Sequence, residues 1–85
     1  MLLCFTDNAW KDYEYWLAQD KKVLKRINLL IKDTRRSPSA GIGKPEPLKE
    51  NLSGYWSRRI TSEHRMVYTF TQDRLTIVAL RFHYS

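Results

Sequence analysis

The run Leu75-Thr76-Ile77-Val78-Ala79-Leu80-Arg81-Phe82-His83-Tyr84 restricts the fold of this chain more than any other stretch. It is the most apolar and β-branched run in the sequence, and its first half is apolar at odd and even positions alike. A strand with one wet face alternates, whereas a run apolar in both phases is covered on both sides. The reading is an interior strand around which the other elements assemble. The run then changes character. Arg81, His83 and Tyr84 add a fixed cation, an imidazole and a phenol, an ending that a purely structural strand does not need.

Upstream, Leu2–Phe5 reads as a short first strand. Thr6 is the expected N-cap of a helix, with Asp7 in the first turn where the dipole favours an acid. Trp10, Tyr13, Trp16 and Leu17 recur on one helical face and are expected to pack in the core. Asp20 is the expected N-cap of a second helix with an apolar face of Val23, Leu24, Ile27, Leu30 and Ile31. Arg35 and Arg36 complement the dipole in its last turn, and Pro38 stops it. The two helices are nearly contiguous and should form a hairpin. After a loop from Ser37 to Pro47 and a turn at Asn51–Gly54, three strands of a meander follow, Tyr55–Thr61, Arg65–Phe70 and Leu75–Tyr84. The fold class is therefore α+β, one small domain over residues 1–85, with two N-terminal helices on one face of a twisted antiparallel sheet.

Composition narrows the partners. The 85 residues carry 15 Lys and Arg against 9 acids, a formal charge of +6. Such a balance favours a polyanion: nucleic acid, an acidic protein or an anionic surface. The 13% aromatic content argues against a disordered basic tail. A lone cysteine, Cys4, allows neither an internal disulfide nor a cysteine zinc site and suits a reducing cytoplasm. Leu2–Phe5 is too short for a signal peptide or a membrane span.

Strand parity sorts the polar side chains. Trp56, Ile60, Met66, Tyr68, Phe70, Val78, Leu80 and Phe82 are even-numbered and apolar, so they are assigned to the helix-covered face. The odd positions then gather Arg59, Arg65, Arg81 and His83 on the other. This requires odd-numbered hairpin loops, Ser62-Glu63-His64 and Gln72-Asp73-Arg74, because a one-residue slip inverts every side chain. Arg58 is the misfit and is expected at an edge, reaching out to water. In Lys44-Pro45-Glu46-Pro47, Lys44 and Glu46 each precede a proline, which pushes both towards extended angles and holds Glu46 on a stiff backbone.

A carboxylate, an imidazole and several guanidinium groups suit metal-free RNA cleavage. One group takes the proton of a 2′-hydroxyl, the alkoxide attacks phosphorus, arginines stabilise the phosphate oxygens, and a second group protonates the leaving 5′-oxygen. The same set serves RNA binding without chemistry. No metal-ligand spacing, nucleophile elbow or phosphate-cradling glycine motif is present.

Lys44-Pro45-Glu46-Pro47-Leu48-Lys49, the run Leu52 to Ile60, Glu63-His64-Arg65-Met66-Val67-Tyr68 and Arg81-Phe82-His83-Tyr84 together resemble the YoeB toxins of the RelE/ParE toxin–antitoxin superfamily. The resemblance covers the whole chain, with the motifs in order and at matching spacing. It implies a RelE-like β-α-α-β-β-β(-β) fold and an mRNA interferase that cuts mRNA in the ribosomal A site, inhibiting translation without metal or cofactor. By the same resemblance Glu46 is the general base and His83 the general acid. Arg65 stabilises the phosphate in the transition state, Lys49 and Arg59 bind and orient it, and Tyr84 helps position substrate. The partners implied are an acidic YefM-type antitoxin, whose disordered C-terminal segment folds over the toxin, and the 70S ribosome with its mRNA. A homodimer is left open, and no membrane is expected. Ser85 departs from the family, following the usual terminal tyrosine. The alternatives are a non-catalytic RNA- or ribosome-binding module and a gyrase-directed toxin of the ParE branch. The Glu46/His83 pair argues against both.

Overall fold

The computed structural model describes residues 1–82; His83, Tyr84 and Ser85 lie outside the described residues. The elements are β1 (Leu2–Phe5), α1 (Asp7–Gln19), α2 (Lys21–Arg36), β2 (Glu46–Pro47), a 3-10 turn (Glu50–Leu52), β3 (Trp56–Arg59), β4 (Arg65–Phe70) and β5 (Arg74–Ala79). They form one sheet in the order β1-β5-β4-β3-β2, antiparallel except where β1 runs parallel to β5. The last strand is interior, as its two-phase apolar pattern requires, with β4 at the sheet centre.

Both helix starts form as their capping residues dictate. Thr6 Oγ1 accepts the Ala9 N–H at 3.1 Å, and the Asp20 carboxylate accepts those of Lys22 and Val23 at 3.0 and 3.3 Å. The core joins Ile27, Leu30 and Ile31 of α2 to Met66, Tyr68, Leu75 and Ile77 of the sheet. Truncating Leu30, which is fully buried, would cost about 2–5 kcal/mol.

The inner line of α1 differs from the expected aromatic stripe. Ala9, Asp12 and Trp16 are buried, while Trp10 and Leu17 stand 50% and 52% exposed. Trp10 instead lies flat on Tyr13, ring centroids 5.5 Å apart, with its edge to Phe5. The small Ala9 lets the helix approach the sheet closely, and polar anchors set its rotation. Thr6 Oγ1 and Asn8 Nδ2 both donate to the Val78 carbonyl, at 3.0 and 3.3 Å. Helical spacing marks an apolar face but does not register polar contacts some 70 residues away.

The register of the meander is half as expected. Arg59 lies opposite Arg65, and Trp56 opposite Tyr68, so the β3–β4 connection is odd and the even residues share the helix side. The β4–β5 connection is not odd. Phe70 pairs with Leu75, so four residues, 71–74, separate the two partners, and Thr71 N–H donates to Arg74 O at 2.8 Å. The odd residues Leu75 and Ile77 therefore enter the core, and Thr76 and Val78 are only half-buried on the other side. A β-bulge then intervenes: Tyr68 pairs with Ile77 but Val67 with Ala79, which leaves Val78 as the extra residue. Beyond it the phase is restored, and Leu80 is back in the core.

The strand also stops at Ala79 instead of running to Tyr84. Side chains of α1 take over the peptide groups that a ladder would have paired. Asp12 Oδ2 accepts the Leu80 N–H at 2.9 Å, and Trp16 Nε1 donates to the Leu80 carbonyl at 2.8 Å. Buried backbone groups must find partners, and here they find them on a helix.

Candidate active site

Glu46 reaches its place through a loop built around a buried arginine. The Arg58 side chain is fully enclosed and uses all five N–H donors. Nε meets Tyr68 Oη at 3.2 Å, Nη1 meets Asp33 Oδ2 at 2.7 Å and Ile42 O at 3.1 Å, and Nη2 meets the Ser37 and Ala40 carbonyls at 2.6 and 2.9 Å. Arg58 thus does not reach out to water as its neighbours' parity suggested. It points to the helix side and organises the chain between α2 and β2. Asp33 also accepts the Ile42 N–H, at 3.0 Å. The Arg58 guanidinium, and after it the Ile42 amide, hold the Asp33 carboxyl below its usual range, burial opposing them. Burial pushes the Tyr68 phenol up, with Arg58 opposing, so its hydroxyl keeps the proton that it donates to Pro38 O at 2.6 Å. Gly41, at φ 124°, passes so close to Asp33 that a Cβ would collide with the carboxylate.

From this anchored loop the chain turns into β2. Gly43 O accepts the Arg59 N–H at 2.7 Å. Lys44, expected extended, has φ 53°, because the chain must bend between the fixed Gly43 carbonyl and the Glu46–Ser57 pair. Such an angle costs on the order of 1–3 kcal/mol in a non-glycine residue and persists only where both sides are anchored. Glu46 itself is in extended strand. Leu48 N–H bonds Tyr55 O at 2.8 Å, so Pro47 turns its donorless nitrogen to the outer sheet edge.

Glu46 is opposite Ser57, and Arg59 opposite Arg65. Residues opposite each other share a face, and these four lie on the face away from the helices. Glu46 and Arg59 are diagonal neighbours, with backbones roughly 7–8 Å apart by sheet geometry. Both are exposed, and Arg65 is half-exposed. Lys49 is exposed and precedes the 3-10 turn. Two arginines directly opposite repel each other, so the pair is unfavourable for the sheet itself. Arg65 is drawn back over the β3–β4 loop, Nη1 donating to Thr61 O at 2.9 Å and His64 O at 3.2 Å. Arg81, grouped with them by parity, is elsewhere: its guanidinium carbon sits 3.6 Å from the Tyr15 ring centroid, against α1. Parity fails there because the strand has already ended. His83 and Tyr84 lie outside the described residues.

One set of residues escaped the sequence reasoning. His64 accepts the Phe82 N–H through Nδ1 at 2.8 Å, with Trp16 edge-on to its ring at a centroid distance of 4.9 Å. Asp12 and Trp16 hold Leu80, and the Arg65 N–H donates to Phe82 O at 2.9 Å. The available signal was Asp12, a carboxylate on the inner line of a helix, which must find a buried donor. No group of three or more metal-ligating side chains occurs among the described residues. No described helix is long and apolar enough to cross a membrane.

A small sheet backed by two helices, with a carboxylate and two arginines on the face away from them, defines a compact basic α+β domain. The sequence matches the family of YoeB-like toxins of bacterial type II toxin–antitoxin systems over residues 5–84. It is 61% identical to toxin YoeB of Escherichia coli (strain K12) over 84 residues, 99% of this chain and 100% of that one. The structure is similar to a YoeB/ParE toxin from Agrobacterium tumefaciens, with a TM-score of 0.96 and 50% identity over 99% of this chain and 100% of that one. It is also similar to Staphylococcus aureus YoeB in two solved assemblies. The YoeB dimer gives a TM-score of 0.92 and 46% identity, covering 99% of this chain and 98% of that one. The heterotetrameric YoeB–YefM complex gives 0.90 and 46%, covering 99% of each. The chain belongs to the YoeB-like toxin family.

Proposed function

We propose that this protein is a ribosome-dependent endoribonuclease that cuts mRNA in the A site by attack of the 2′-hydroxyl on the adjacent phosphorus. The observation that carries the reading is the Arg59–Arg65 cross-strand pair with Glu46 one step along the same bare face. Like charges set opposite each other weaken a sheet, and a phosphate between them turns the repulsion into attraction. Glu46 is the group assigned to take the 2′-hydroxyl proton, and His83 to protonate the leaving 5′-oxygen. Arg65 stabilises charge developing on the phosphate oxygens, Lys49 and Arg59 bind and orient the phosphate, and Tyr84 helps position substrate. The 2′-hydroxyl restricts the reaction to RNA.

The proposed inhibitor is an acidic antitoxin of the YefM type, matching the +6 charge and the YoeB–YefM complex of the Staphylococcus aureus relative. The YoeB dimer of that organism makes self-association part of the same proposal.

The deciding experiment maps mRNA 5′ ends by primer extension after the protein is added to a translating system. New ends in the A-site codon are expected with the native chain. They should be strongly reduced with Glu46→Ala or His83→Ala while ribosome binding persists. Salt-sensitive binding without any new ends would establish the non-catalytic alternative instead.

A further inference from the structure

After Ala79 the chain continues without a strand partner, yet it is held at both peptide groups that flank Arg81. Leu80 is fixed by Asp12 and Trp16 of α1. Phe82 is fixed on one side by the His64 imidazole and on the other by the Arg65 backbone N–H. Local preference opposes this arrangement at Phe82. The residue is 59% exposed, and its φ is 66°, in the left-handed region. Burial therefore does not explain why the backbone sits there. A non-glycine residue keeps such an angle only when its surroundings over-determine it, and strain of this kind gathers at functional sites. The surroundings here are His64 and Arg65, adjacent residues at the start of β4, the second of which is assigned to the phosphate. His64 is itself oriented, with the Trp16 indole edge-on to its ring. Because Nδ1 accepts the Phe82 N–H, the neutral ring carries its proton on Nε2.

We propose that His64 is a positioning residue for the cleavage reaction: its Nδ1 fixes the Phe82 peptide and thereby the backbone to which the assigned general acid, His83, is directly bonded. This rests on the ribonuclease reading above. His64 touches no substrate; it acts through the chain that it holds.

The test compares the native protein with His64→Asn, His64→Gln and His64→Ala. Asparagine sets its carbonyl oxygen near the place of Nδ1, whereas glutamine sets its own near Nε2. Single-turnover cleavage of ribosome-bound mRNA is measured across protein concentrations, and exchange of the Phe82 amide is followed by NMR. The glutamine and alanine variants should lose on the order of 10²-fold in saturating rate, as expected for a misplaced catalytic group, with the half-saturating concentration little changed. Their Phe82 amide should exchange faster than the native one, while asparagine preserves both rate and protection. If alanine does not fold, the asparagine–glutamine contrast decides alone. Equal Phe82 exchange in the folded proteins, or rescue by glutamine as good as by asparagine, would overturn the proposal. Absence of cleavage by the native chain would overturn the ribonuclease reading and with it the catalytic role of His64. Phe82 exchange would still decide whether His64 holds the peptide.

Discussion

Arg58 and Arg59 are adjacent in β3, carry the same side chain and face opposite ways. Arg58 is wholly enclosed, with all five donors engaged by Asp33, Tyr68 and three carbonyls of the loop before β2. Arg59 faces solvent opposite Arg65, where no protein carboxylate neutralises the pair among the described residues. A guanidinium satisfied by protein holds structure together. One left beside a like charge can hold a ligand anion. The planar fork suits both tasks, but only its surroundings decide which it performs.

The sharpest way to break the comparison is to truncate each arginine. Arg58→Ala should cost about 3–5 kcal/mol, because it strands the Asp33 carboxylate and three carbonyls, and a domain this small would be largely unfolded. Urea denaturation would show it, and Arg59→Ala should stay within about 0.5 kcal/mol of the native protein. On the bare face the effect should appear in rate instead. Arg65→Ala is expected to raise the cleavage barrier by ~3 kcal/mol, read by single-turnover kinetics, with a much smaller change in melting temperature.

Tyr68→Phe removes the hydroxyl that joins Arg58 to Pro38 and should cost about 1–3 kcal/mol in thermal or urea unfolding. Acid should weaken the same cluster. The folded-state pKa of Asp33 is depressed below its ordinary 3.8, so its stabilisation is complete above that value and lost as pH falls through the lowered one. The urea midpoint should therefore drop below pH 3.8, and an Asp33→Asn variant should show a shallower drop. The smallest effect belongs to Arg59. Arg59→Ala should lower the log–log salt slope of RNA binding by about 1 and leave the unfolding transition in place.

Much of the arrangement was legible before any coordinates. Thr6 and Asp20 announced both helix starts, and parity on β3 and β4 put Arg59 and Arg65 on one face. The first half of the last run was correctly an interior strand. These features rest on capping, periodicity and alternation, which act over a few residues and leave their mark in local order.

What tertiary structure alone decided has a different physical origin. The Val78 bulge, the end of β5 at Ala79 and the enclosure of Arg58 each follow from polar groups meeting partners distant in the chain. Thr6 and Asn8 take the Val78 carbonyl, Asp12 and Trp16 the Leu80 peptide groups, and Asp33 the Arg58 charge. A buried donor or acceptor must be satisfied, but no local pattern records which distant group will do it. The sequence alone therefore determined the two helices, the first strand and the meander in outline, and the shared face of Arg59 and Arg65, while β2 had been read as the end of a loop. Long-range hydrogen bonding decided where the last strand stops and which arginine, Arg58 or Arg59, is enclosed and which stays exposed.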